Sequence, residues 1–265
     1  MTRLGVCGWP VAHSRSPQMH NAALAHLGLS TWRYQKLPIP PHLFEATVRA
    51  LPDAGFRGVN VTIPHKEAAL QLADAATETA QAIGAANTLT FEADGRIHAD
   101  NTDATGFLTS LKTSAYDKTA LVLGAGGSAR AILYALKQAG VSDLRVWNRT
   151  KERAQALADE FGATTGDEPG EIIVNCTSIG LHDPSATFKA LPLRADDLCV
   201  GRTVVDLVYR NGGTLLLNTA KANGAEVVDG LEILVAQGAA SLERWTGRTA
   251  PDQAMREAVV DIAVP

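Results

Sequence analysis

Three small residues, Gly124, Gly126 and Ala129, stand at G-x-G-x-x-A spacing inside the stretch T-A-L-V-L-G-A-G-G-S-A-R. At that spacing a chain can turn tightly, bring bare backbone up to a pyrophosphate and pack a helix closely on a strand. Gly124, Ala125, Gly126, Gly127, Ser128 and Ala129 are therefore candidates for holding a dinucleotide's diphosphate, which the first helical amides would face. An NAD site usually carries a carboxylate about 20 residues further on, where it accepts from the ribose 2′-hydroxyl. This chain has none there. It offers Asn148, Arg149, Thr150 and, one helical turn later, Arg153, which suit a 2′-phosphate that a carboxylate would repel. Cations at a helix start are slightly disfavoured by the helix dipole, so their presence itself argues for an anion nearby. The cofactor reading is NADP.

A second set of polar residues falls at predicted strand ends. In H-S-R-S-P the hydroxyls Ser14 and Ser16 flank a loop that opens a helix at Pro17. Capping by Ser16 accounts for one of them, not for both, and such loops are where open α/β sheets bind ligands. In V-N-V-T-I-P-H-K, Asn60 and Thr62 alternate with apolar residues, so the strand has a polar face, and Pro64 ends it with His65 and Lys66 on the rim. Asn87 follows a Gly-Ala-Ala turn. Asp100-Asn101-Thr102-Asp103 precedes an apolar helix and reads first as a capping loop, with Asp103 as an acid in the first turn.

These groups need elements to hold them. Leu121–Leu123 form a short unbroken apolar run, as a fully buried parallel strand should. Ile132, Leu133, Leu136 and Ala139 recur at helical spacing, Gly140 stops the helix, and Leu144–Trp147 form a second strand, giving a βαβ unit. Upstream, strands are expected at 4–7, 32–37 and 58–63, with helices at 17–27 and 43–51. Short helical pieces follow at 70–76 and 77–83, and then a hairpin turn at Asp94-Gly95. Downstream, strands at 172–175, 203–207 and 227–230 alternate with helices at 215–222 and 231–245. A last helix from Pro251 has Met255, Ala258, Val259 and Ile262 on one face. The alternation implies an α/β fold with parallel pairing and right-handed crossovers.

With 265 residues and 46% hydrophobic content, two domains with sizeable cores are expected. A net charge of −4 and the lack of any dense Lys/Arg run argue against nucleic acid or an anionic membrane as partner. Cys7, Cys176 and Cys199 are scattered, without C-x-x-C spacing, so neither a disulfide framework nor a thiolate metal site is indicated and a reducing compartment is expected. No apolar run reaches spanning length, and the start of the chain is broken by Gly5, Gly8 and Pro10, unlike a signal peptide; a cytoplasmic protein is the simplest reading.

Several strings occur in one order: G-W-P-V-A-H-S-R-S-P, V-N-V-T-I-P-H-K, G-A-A-N-T, D-N-T-D-A-T-G-F, G-A-G-G-S-A-R, N-R-T and Q-G-A-A-S-L-E-R-W-T-G. Together they resemble the shikimate dehydrogenase family over nearly the whole chain. The resemblance implies NADP-dependent reduction of 3-dehydroshikimate to shikimate, on the route to chorismate and the aromatic amino acids. Reducing a ketone needs a hydride, a proton donor for the developing alkoxide and a pinned ring. By resemblance Lys66 is the proton-transfer group and Asp103 holds both it and the substrate. Ser14, Ser16 and Tyr209 meet the ring carboxylate, and Asn60, Thr62, Asn87 and Gln237 serve ring hydroxyls or neighbouring contacts. His13 and His65 match family positions and are given no catalytic role.

The resemblance further implies two α/β domains: a substrate domain of residues 1–101 with 238–265, and a Rossmann-type NADP domain of 102–237, with the reaction in the cleft between them. Two departures stand out. Tyr209 is followed by Arg210-Asn211-Gly212-Gly213 where relatives often have a proline, and Ile233 stands where a methionine commonly lies near the nicotinamide. Quinate or quinate/shikimate dehydrogenase activity is an alternative, as is a nucleotide-sensing protein without catalysis; the state expected is monomer or homodimer.

Overall fold

The computed structural model describes residues 1–260; Ile262, placed above on the face of the last helix, lies outside the described residues. The chain forms two compact units, one of Met1–Gly106 together with the chain from Leu234 onward, the other Phe107–Ile233.

In chain order the first unit contains β1 (Thr2–Gly8), α1 (Ser16–His26), β2 (Trp32–Pro38), α2 (Phe44–Ala50), β3 (Phe56–Val61), α3 (Lys66–Leu72), β4 (Ala75–Ala76), α4 (Glu78–Ile83), β5 (Thr88–Phe91) and β6 (Ile97–Asp100). Its sheet runs β2-β1-β3-β5-β6-β4. The pairs β1–β2, β1–β3 and β4–β6 are parallel, while β3–β5 and β5–β6 are antiparallel. β5 alone runs against the other strands, and the expected Asp94-Gly95 turn, where Gly95 takes a left-handed φ of 87°, returns β6 beside it. A core of Phe44, Val48, Phe56, Val59, Val61, Leu89 and Phe91 packs between this sheet and its helices.

The segment expected to be helical over 70–76 folds otherwise. α3 begins four residues earlier, directly after His65, and ends at Leu72. Ala75–Ala76 form a two-residue strand that exists only through pairing with His98 and Ala99. Thr77 then caps α4, its hydroxyl accepting from the Ala80 N–H at 3.2 Å. The earlier start puts Lys66 at the first residue of a helix.

α5 (Asp103–Ser110) leads into the second unit: β7 (Thr119–Leu123), α6 (Gly127–Gln138), β8 (Asp143–Trp147), α7 (Lys151–Phe161), β9 (Thr164–Thr165), β10 (Ile172–Asn175), α8 (Thr187–Ala190), β11 (Thr203–Asp206), α9 (Leu215–Ala222) and β12 (Glu226–Asp229). Every pair in its sheet, β12-β11-β10-β7-β8-β9, is parallel. The order reverses direction at β7, the crevice where doubly wound sheets bind ligands. Leu121, Leu123, Ile173 and Val204 are buried in its core. α10 (Gly230–Thr246) carries the chain back to the first unit, where Trp245 Nε1 donates to the Leu89 carbonyl at 3.1 Å, and α11 (Asp252–Val260) follows.

Candidate active site

Lys66 opens α3 and Asp103 opens α5, each one short turn beyond a strand end. The positive end of a helix dipole opposes a cation and favours a carboxylate, so Lys66 needs a partner and Asp103 is suitably placed to be one. The two side chains meet at 2.6 Å from Nζ to Oδ2 and are only 10% and 13% exposed. A buried pair of this kind keeps its geometry only if the remaining carboxylate oxygen is also satisfied. Asn87 does this, donating from Nδ2 to Asp103 Oδ1 at 2.8 Å.

Asn87 is itself fixed from several directions. Its Oδ1 accepts from the Thr102 N–H at 2.8 Å and from the Thr88 hydroxyl at 3.0 Å. Its Nδ2 also faces Gln237 Oε1 at 3.2 Å, joining segments 150 residues apart. Gln237 reaches this place because α10 passes very near α5: a Cβ added to Gly106 would lie 2.8 Å from Gln237 Cβ. Asn101 holds the loop, accepting from the Asp103 N–H at 3.0 Å and donating to the Ala85 carbonyl at 2.8 Å.

Behind this couple lies a buried layer that joins Asn60, named from the sequence, to Tyr34 and Ser241, which the sequence did not single out. Asn60 Oδ1 accepts from the Tyr34 hydroxyl at 2.8 Å, and Asn60 Nδ2 donates toward Ser241 Oγ (2.9 Å), Thr88 Oγ1 (3.2 Å) and the Asn87 carbonyl (3.2 Å). Most of Asn60's hydrogen-bonding capacity is thus taken up by the protein. Ser241 had one signal, its place one helical turn beyond Gln237, whose carbonyl accepts from Ser241 Oγ at 3.0 Å. Tyr34 had none, because only the sheet brings β2 near β3. His20 stacks on Tyr34 with centroids 4.2 Å apart, and neither ring nitrogen has a hydrogen-bond partner among the described residues. Burial lowers its pKa to about 3; the neighbouring Asn60 amide opposes that shift without reaching bonding geometry.

Ser14 and Ser16 are buried side by side, Ser14 Oγ donating to Ser16 Oγ at 3.2 Å. The capping expected of Ser16 does not occur: the helix already includes Ser16, its N-cap is Arg15, and no side chain caps it. Both hydroxyls face each other and retain acceptor and donor capacity for a ligand. Thr62 is half-buried, its N–H donating to the Cys7 carbonyl at 2.9 Å. His65 is committed to structure, stacking on Phe44 at 4.2 Å with Nε2 2.8 Å from the Ile39 carbonyl, and burial lowers its pKa.

In the second unit the glycine turn has the expected form. Gly124 adopts φ 117°, and its N–H donates to the Trp147 carbonyl at 2.7 Å, joining the turn to the end of β8. Gly126 precedes α6 with no side-chain cap, and a Cβ there would meet nothing within 4 Å. Ala129 is fully buried against the sheet. Gly126, Gly127 and Ser128 are half-buried, so the start of α6, where helices bind phosphate groups, is open to a ligand beside Gly126.

Asn148 Nδ2 donates to the Thr150 carbonyl at 3.0 Å, closing the turn that presents Arg149. Arg149, Thr150 and Arg153 are exposed, and neither arginine has an ion pair among the described residues. Asn148 and Arg149 also line a cavity of 690 Å³ with Trp147, Lys151 and Thr165. Glu152 and Asp167 line the same cavity. Tyr209 lies in this unit, on the loop between β11 and α9. The loop is held by Asp206, whose Oδ1 accepts from the Val208 N–H at 3.0 Å and from Asn175 Nδ2 at 2.9 Å. Burial raises the Asp206 pKa to about 7.

A parallel doubly wound unit with a bare glycine turn, and an α/β unit with a buried ammonium–carboxylate couple, define a dinucleotide-binding α/β protein equipped for proton transfer. Residues 6–89 match the shikimate dehydrogenase substrate binding domain, 108–169 the shikimate / quinate 5-dehydrogenase model and 230–260 the shikimate 5′-dehydrogenase C-terminal domain. The chain is 45% identical to the shikimate dehydrogenase (NADP(+)) of Paracoccus denitrificans, covering 97% of this chain and 95% of that one. A shikimate 5-dehydrogenase of Thermus thermophilus, solved with NADP(H) and shikimate, superposes with a TM-score of 0.87 at 44% identity over 97% and 98% of the two chains. A ligand-free 5-ketofructose reductase of Gluconobacter superposes with a TM-score of 0.84 at 33% identity over 97% of each chain. The chain belongs to the shikimate dehydrogenase family.

Proposed function

We propose that this chain is an NADP-dependent shikimate dehydrogenase that interconverts 3-dehydroshikimate and shikimate. The observation that carries the reading is the Lys66–Asp103 couple, 2.6 Å apart and locked by Asn87. NADPH, when bound, supplies the hydride for the ketone carbon. Lys66 Nζ gives its proton to the oxygen as negative charge develops there, and takes one back when the hydroxyl is oxidised. Asp103 fixes the ammonium and accepts from a ring hydroxyl, and Asn87 and Gln237 keep that carboxylate aimed. Ser16 donates to the substrate carboxylate and Ser14 joins it once its proton turns from Ser16 Oγ to the ligand, with Tyr209 completing the set, while Thr62 contacts the ring and Asn60 supports the layer beneath it. The turn Gly124–Ala129 receives the diphosphate, Gly124 shaping it with its own N–H held by the Trp147 carbonyl and the amides beyond it facing the anion. Asn148, Arg149, Thr150 and Arg153 receive the 2′-phosphate, where two guanidinium groups favour NADP over NAD.

A related polyol ketone is the competing substrate class, since the fold also serves a 5-ketofructose reductase. The buried pair of serine hydroxyls favours a carboxylate-bearing ring. The same reading places the enzyme in the cytoplasm as a monomer or homodimer; no helix of the described residues is long and apolar enough to cross a membrane. Steady-state oxidation of shikimate and quinate, each with NADP and NAD, tests the proposal. Shikimate with NADP is expected to give the highest kcat/KM. Higher kcat/KM with quinate would reassign the substrate, and NADPH binding without turnover of either would leave a sensor.

A further inference from the structure

The geometry points to Lys36 as the charge that draws and holds the substrate carboxylate at Ser14 and Ser16. This inference rests on the reading of those hydroxyls given above. Two neutral hydroxyls are a poor seat for an anion: a carboxylate taken out of water needs opposite charge as well as donors. The cation nearest the chemistry cannot provide it, because Lys66 is neutralised by Asp103. Arg15, between the two serines, turns its guanidinium to the Val259 carbonyl at 2.8 Å.

Lys36 is differently placed. It lies on β2 opposite Val6 of β1, two residues before the pair Gly8 and Pro38 that ends the ladder on the ligand side. Its side chain leaves the same face of β2 as Tyr34, whose hydroxyl reaches Asn60. Lys36 Nζ donates to the carbonyl of Ala12, inside the turn closed by the Ser14 N–H on the Val11 carbonyl at 3.1 Å. A backbone carbonyl accepts a hydrogen bond but carries no net charge. Among the described residues no carboxylate pairs with Lys36. The ammonium is therefore held on the serine turn with no carboxylate partner among the described residues, and an uncompensated charge acts over the ~8 Å within which physiological salt leaves charges in communication. A ring carrying a carboxylate is selected over a neutral polyol by this charge.

The test compares shikimate with its uncharged methyl ester, at saturating NADP, in wild type, Lys36→Met and Lys36→Arg, with thermal unfolding measured on each. Lys36→Met is expected to raise the KM for shikimate about tenfold. It should leave kcat and the KM for NADP within about twofold, and leave the ester's KM unmoved. The salt dependence of kcat/KM for shikimate should flatten in the same variant, and Lys36→Arg should restore both properties. An equal rise for acid and ester would make Lys36 a structural tether of the turn, and an unchanged KM for shikimate would remove it from the site; either result overturns the inference. Failure of the wild type to oxidise shikimate would instead overturn the proposed function.

Discussion

The couple at Lys66–Asp103 and the turn at Gly124–Ala129 are built to opposite plans. Around the couple, side chains are buried and bonded to one another before any ligand arrives: Asn87 alone touches Asp103, Thr102, Thr88 and Gln237. Around the turn, the N-cap residue Gly126 supplies no side chain and faces open space, and Arg149 and Arg153 are exposed. Proton transfer requires atoms held to a fraction of an ångström, and the protein supplies that rigidity from its own groups. A dinucleotide brings its own charges, so the protein leaves donors for it to complete.

That contrast breaks or sharpens under substitution. The largest effect is expected at the preorganised end: Asp103→Asn strips Lys66 of its counter-charge and should lower kcat about 10²–10³-fold. A loss confined to KM would show the carboxylate to be a binding group only. At the open end, Arg149→Ala should raise the KM for NADPH roughly 10–100-fold, as for a charge-assisted bond, while NADH kinetics stay put. An equal change for both cofactors would remove the 2′-phosphate from Arg149. Gly126→Ala should weaken NADP binding about tenfold in calorimetry without moving the unfolding temperature, because the added Cβ meets only the space meant for the ligand. A destabilised protein would show that space to be needed by the fold.

The smallest effects separate the two units by pH. His20 titrates near 3 when folded against an ordinary 6.5, so the folded state binds fewer protons, and stability present above pH 6.5 is lost as pH falls toward 3. Asp206 titrates near 7 against 3.8, so the folded state binds more protons, and stability present below pH 3.8 is lost as pH rises toward 7. Thermal unfolding across pH should show His20→Phe flattening the acid slope and Asp206→Asn flattening the opposite one. Unchanged slopes would mean that neither group titrates as its burial implies.

Much of the second unit was legible in the sequence because its signals are local. An apolar run, a glycine turn and a helical repeat sit within thirty-odd neighbouring residues, and β7–α6–β8 forms where they indicate. The first unit was harder to read. Ala75–Ala76 has no strand pattern of its own and becomes one only beside β6, and α3 begins at Lys66 because the chain has already turned after β3. Lys66, Asp103, Asn87 and Gln237 were named from their strings, but no spacing shows that residues 37 and 150 positions apart will touch. Tyr34 and Thr88 were overlooked for the same reason, since their roles arise from sheet order, and His20 because only the packing of α1 on β2 stacks it against Tyr34. Ser16 misled in the other direction, carrying a capping signal that the helix, starting at Ser16 itself, does not use.

The division of labour between the two regions is tested most directly by one pair of measurements on Lys66→Ala: its shikimate-dependent turnover and its dissociation constant for NADPH. The account predicts a fall in kcat of about 10²–10⁴ with NADPH affinity within about twofold of wild type. Turnover near the wild-type value, or a loss of NADPH affinity in step with kcat, would contradict it.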